Sequence, residues 1–138
     1  MNRFRDPDGS VAVETAVLAP VLLALMMLIV YAGRASQTDA DVRSAATHAA
    51  RAASLTGDPL AASAAAQGVA AGNLATAGID CRRIEVTVDT GGFQAGGTVT
   101  VQVACEVSNT DLALLAVPGA RWSQATSTQV VDTYRGGG

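Results

Sequence analysis

Few residues in this chain are placed to do chemistry, and the first is a carboxylate in an apolar setting. Glu14 is the fourth residue of Val11–Tyr31, a run that is otherwise apolar apart from Thr15 and the interruption at Pro20. A charged carboxylate on a helix in lipid costs a few kcal/mol at the bilayer centre and less near the interface. One reading is that Glu14, one turn in, reaches back to the headgroups. The other starts from Gly9, five residues earlier. A cut after Gly9 makes Ser10 the new N-terminus and Glu14 the fifth residue. The new α-amine, with a reference pKa of about 8, is mostly protonated at neutral pH. It can pair with Glu14 of its own or a neighbouring subunit. Only a correctly staggered neighbour neutralises the carboxylate, so the charge becomes a registration device. That is chemistry of assembly, not of catalysis.

The other reactive side chains are Cys81, Cys105 and His48. The two cysteines flank a turn centred near Phe93. Outside the cytoplasm a disulfide between them is the natural expectation; the alternative is two separately buried thiols. Parity opposes a simple ladder. The apolar residues on the first side of the turn are even-numbered and those on the second are odd-numbered, so a regular pairing does not face Cys81 to Cys105. A bulge, or a Cys81 just outside the strand, removes the mismatch. Two isolated cysteines and one distant histidine make no metal cluster. His48 falls on a polar helix face, and no nucleophile–base or carboxylate pair assembles at credible spacing. No catalytic residue, metal or cofactor is expected, and the chain is not read as an enzyme.

These residues need elements to hold them. Val11–Tyr31 has 21 residues, about 31 Å as a helix and close to a bilayer's hydrocarbon thickness. Two arginines before it weakly favour a cytoplasmic N-terminus, against Arg34 at the other end. Beyond Arg34, Val42, Ala45, Ala46, Ala49, Ala52 and Ala53 recur at helical spacing. Gln37, Asp41, Ser44, His48 and Arg51 mark the opposite face, and Asp39 precedes Arg43 by four. One rod therefore continues out of the apolar run until the stop at Thr56–Pro59. A second, Ala-rich helix is expected from Pro59 to about Ala77, weakened by Gly68 and Gly72. Strand alternation then appears in RRIEVTVDT and TVTVQVACEV around the turn GGFQAGG, which predicts a hairpin. DLALLAVPG reads as a short apolar turn or helix, and Arg121–Tyr134 as a third strand.

The fold class expected is α+β: a long N-terminal transmembrane and stalk helix, a second Ala-rich helix, then a three-stranded antiparallel sheet. The division is a leader over 1–9, a transmembrane helix (about 11–31) continuing as stalk over 10–55, and an α+β head over 56–138. With two Phe, two Tyr and one Trp, the head's core is expected to be shallow and packed with small residues. A net charge of −3 lacks the basic footprint of a nucleic-acid binder. All nine basic residues are arginine, which together with the alanine content reflects coding bias more than mechanism.

The segment Gly9-SVAVE resembles the processing site of type IV pilin-like proteins, where a prepilin peptidase cuts after Gly and leaves Glu at position five. The longer run VAVETAVLAP, with Pro20 six residues after Glu14, resembles the TadE family of minor pseudopilins of the tight-adherence (Tad/Flp) pilus. Gly33 and Arg34 match the family's ending to the span; Tyr31 and Ala32 depart from it, and Thr15 replaces an aromatic residue. TadF-like pseudopilins share this front end. The resemblance implies a minor pilin inserted by its N-terminal helix, with the head extracytoplasmic, and assembled through helix packing and the Glu14 contact. It implies as partners the prepilin peptidase, a major Flp-type pilin, another pseudopilin, the inner-membrane platform and lipid. Pro20 would kink the helix, and Ala12, Ala16 and Ala24 share its four-residue rhythm, a strip where another helix could approach. Two other readings stand beside this one. The first is a secreted or anchored binding domain behind an ordinary signal sequence, cut near Gly33-Arg34-Ala35. The second is an unprocessed single-span enzyme.

Overall fold

The computed structural model describes residues 7–108 and 119–134. The elements follow the chain as α1 (Pro7–Ser54), α2 (Pro59–Thr76), β1 (Cys81–Gly92), β2 (Thr98–Ser108) and β3 (Ala120–Val130). The architecture is α+β. The expected apolar turn or helix at DLALLAVPG lies outside the described residues, apart from Gly119.

The chain divides into two compact units, Met1–Ser36 and Gln37–Gly138. In the first, the described residues are helical throughout. The large apolar side chains from Val11 to Tyr31 are exposed, and the most apolar 18-residue window has a mean hydropathy of 2.4 with none of it buried. This one helix is long and apolar enough to cross a membrane.

The second unit is built on alanine. Val42, Ala45, Ala46, Ala49, Ala50 and Ala53 of α1 are fully buried, as are Ala62, Ala66 and Ala70 of α2, with Leu74 close behind. The α1 stripe follows the expected helical spacing, except that Ala50 is buried and Ala52 only half-buried. The two helical faces form one cluster with Val99, Val101, Val103 and Cys105 of β2. Small side chains let helix backbones lie close to the sheet, so a core with few aromatics can still fill its space.

The ends of α2 explain its boundaries. Asp58 caps it by accepting from the Ala61 amide at 3.0 Å, and Pro59, which has no N–H to satisfy, opens the first turn. At the other end Gly78 takes φ 74°, and the Ile79 amide reaches back to the Leu74 carbonyl at 3.1 Å. This left-handed stop favours glycine and satisfies two of the helix's last carbonyls.

The sheet is an antiparallel meander in the order β1-β2-β3. Ile84, Val86 and Val88 pair with Cys105, Val103 and Val101, so the even-with-odd parity of the two strands is the register itself. β3 pairs with β2 without a break from Thr98↔Val130 to Ser108↔Ala120. The outward face is largely polar, with Thr100 and Thr128 hydroxyls 2.9 Å apart, and carries exposed Trp122 and Val130 towards its two ends.

The β1–β2 turn folds back closely. The Gly97 amide donates to Gln94 at 2.7 Å and its carbonyl accepts from Val131 at 2.9 Å. A Cβ on Gly97 would fall inside contact distance of the Gly92 carbonyl oxygen, with backbone rather than a movable side chain in the way. Gly97→Ala is therefore expected to lower the head's stability by about 1–3 kcal/mol, as backbone-displacing overpacking does. Urea unfolding at matched pH measures this, and an unchanged midpoint would show that the turn yields without cost.

Candidate functional site

Glu14 lies on the exposed surface of α1, in a shallow depression lined by Val13, Val17, Leu18 and its own side chain. Its polar neighbour is already satisfied: the Thr15 hydroxyl donates to the Val11 carbonyl one turn back, at 2.8 Å. Glu14 has no such internal solution, and no partner for it stands among the described residues. The backbone is helical from Pro7 through Gly9 and Ser10 into this turn. Pro20 sits inside the same helix, where it removes one backbone donor. Ala12, Ala16 and Ala24 are exposed alongside it.

In the second unit Cys81 and Cys105 form a disulfide, with Cα atoms 5.4 Å apart. Its geometry answers the parity problem. Arg83 pairs with Glu106, but Cys81 pairs with Val107, so Arg82 is an extra residue in the ladder. That bulge turns Cys81 onto the core face, diagonal to Cys105, whereas the unshifted register would place it on the outer face opposite Ser108. Cys81 lies within β1, not beyond it.

One cluster escaped the sequence reading. Asp39, spaced to meet Arg43, instead accepts from the Ser123 hydroxyl at 2.5 Å and from the Arg121 guanidinium at 3.3 Å. The Arg121 pair is half-exposed and contributes little as a charge pair. Ser123, by contrast, is 3% exposed, so its bond to Asp39 supplies the partner a buried hydroxyl needs. A separation of 84 residues leaves no local pattern from which to infer it. His48 is exposed on α1. Among the described residues, no group of three or more His, Cys, Asp or Glu converges to hold a metal.

The Glu14 region thus combines an apolar exposed helix, one unsatisfied carboxylate and a glycine five residues before it. The sequence model of the TadE-like protein family matches residues 9–51. This segment is similar to that family. The match begins at Gly9 and ends in the last turn of α1. The TadE-like segment makes up about a third of the chain and contains Glu14, Pro20 and the first part of the alanine stripe. The match agrees with the apolar N-terminal helix. No curated protein and no solved structure matches the chain.

Proposed function

We propose that this protein is a minor pilin or pseudopilin of a tight-adherence pilus. A prepilin peptidase cuts it after Gly9, and the mature chain waits in the bilayer by its N-terminal helix with the head outside the cytoplasm. It joins the pilus, or the complex that primes or caps it, by helix packing. There the Ser10 amine and Glu14 pair within or between subunits, and Pro20 adapts the helix to its neighbours along the Ala12–Ala16–Ala24 strip. The major Flp-type pilin, another pseudopilin and the inner-membrane platform are its partners.

The observation that carries this reading is Glu14 itself: an exposed carboxylate within a wholly exposed apolar stretch, next to a threonine that is internally satisfied. A plain anchor has no use for such a group, while a helix that packs against copies or relatives can use it to set the stagger. The disulfide supports the placement of the head, because such bonds persist in oxidising compartments.

Intact mass and N-terminal sequencing of the protein purified from its membrane test the reading. The expected mature chain starts at Ser10. A start near Ser36 would overturn it in favour of an ordinary signal sequence, and an intact Met1 would leave a plain anchor.

A further inference from the structure

We infer that the outer sheet face at the Trp122 end rests on lipid headgroups of the membrane that takes up Val11–Tyr31. The inference depends on the anchored reading above and adds a contact which that reading does not require. Trp122 is the chain's one tryptophan, and it is 44% exposed. Its neighbour Ser123 is buried on the core side, so strand alternation turns the indole to the outer face. There it closes the cross-strand row Arg83–Glu106–Trp122. The bulge sets exposed Arg82 beside exposed Arg83 at the same end.

An indole with an apolar ring and one polar N–H suits the membrane–water interface. A guanidinium matches the phosphate of a headgroup. Chain continuity supplies the occupant. Asp39 is bonded to the residues on both sides of Trp122, Arg121 and Ser123. It follows Tyr31 by eight positions, so connectivity alone holds it within about 28 Å of the end of the apolar run. The opposite end of β3 leads to Asp132, whose amide donates to the Ser54 carbonyl at 3.4 Å. That places Val130 at the end farther along the chain from lipid. Among the described residues of the head, Trp122 is thus an exposed large apolar side chain on the end tied closest in sequence to the bilayer.

The native tryptophan is its own probe. The full chain is reconstituted in phosphatidylcholine vesicles with and without phosphatidylglycerol, using a lipid spin-labelled at its headgroup as quencher. The expected result is a blue-shifted Trp122 emission that loses most of its intensity to the labelled lipid. Arg82→Glu with Arg83→Glu, both on exposed positions, should weaken that quenching, most of all in the anionic vesicles. Emission untouched by the label, in protein that resists carbonate extraction, overturns the inference and leaves the anchor intact. Protein that extracts from the vesicles fails the anchored reading, and this inference with it. Shielding that grows with protein-to-lipid ratio and ignores the label assigns the surface to a second copy and likewise overturns the inference.

Discussion

Replacing Glu14 with alanine is expected to leave cleavage after Gly9 largely intact while lowering incorporation into the pilus by about tenfold or more. The two effects separate because the carboxylate acts at different stages. Before assembly Glu14 is a cost, since an unpaired charge in lipid is unfavourable, and alanine makes membrane residence easier. In the proposed assembly it would neutralise an amine that is otherwise buried unpaired. Removing one partner of a buried ion pair costs about 3–5 kcal/mol, and each 1.4 kcal/mol is a factor of ten in an equilibrium. Intact mass of the membrane-bound pool reads processing, and the share of protein in sheared pili reads incorporation. Glu14→Gln removes the charge at nearly constant shape, so it should behave like the alanine variant. Incorporation at the parental level in both variants would remove the charge-pairing account of this residue.

Loss of the disulfide should produce the largest stability change in the head. Cys105 is fully buried on the central strand, and Cys81 begins the neighbouring one. The bond closes a loop with a sequence separation of 24, which constrains the unfolded chain by about 3 kcal/mol. Domains of this size have only about 5–15 kcal/mol in total. The double variant Cys81→Ala, Cys105→Ala is preferable to serine because it places no hydroxyl among Val101, Val103 and their neighbours. It should unfold roughly 10–20 °C below the parent, and the parent treated with a reductant should unfold with it. Coincident melting of variant, reduced parent and oxidised parent would show that the bond contributes nothing.

How much of this could be read from residues alone depended on range. Alternation in RRIEVTVDT and TVTVQVACEV carries the hairpin, and its parity carries the register, because one slipped residue would send every valine to the outer face. The helix of residues 37–54 was legible from alanines at three- and four-residue steps. Asp58-Pro59 marked the start of α2, since cap and first-turn chemistry are local. The bulge at Arg82 was legible only as a conflict between cysteine spacing and strand parity; no Gly or Pro marks it. β3 ends at Val130, short of the expected Tyr134, because after Val131 the backbone turns to bond with α1. The Asp39–Ser123 bond was invisible, as its local alternative with Arg43 was equally well spaced. At the candidate site the order of Gly9, Glu14 and Pro20 was plain in the sequence. The proposed partner of Glu14, the Ser10 amine, exists only after a cut behind Gly9, so it is legible as a motif and not as a side chain.

The alanine faces of α1 and α2 also decide which inherited changes this protein can absorb. A core built from leucine is damaged chiefly by loss of atoms, and it has many to lose. Here the helices have already been trimmed to a methyl group at Ala45, Ala49, Ala62, Ala66 and Ala70. The harmful direction is growth: each added carbon must displace a neighbour in the shared core. A lineage carrying this head is held to the smallest side chains along these two helix faces.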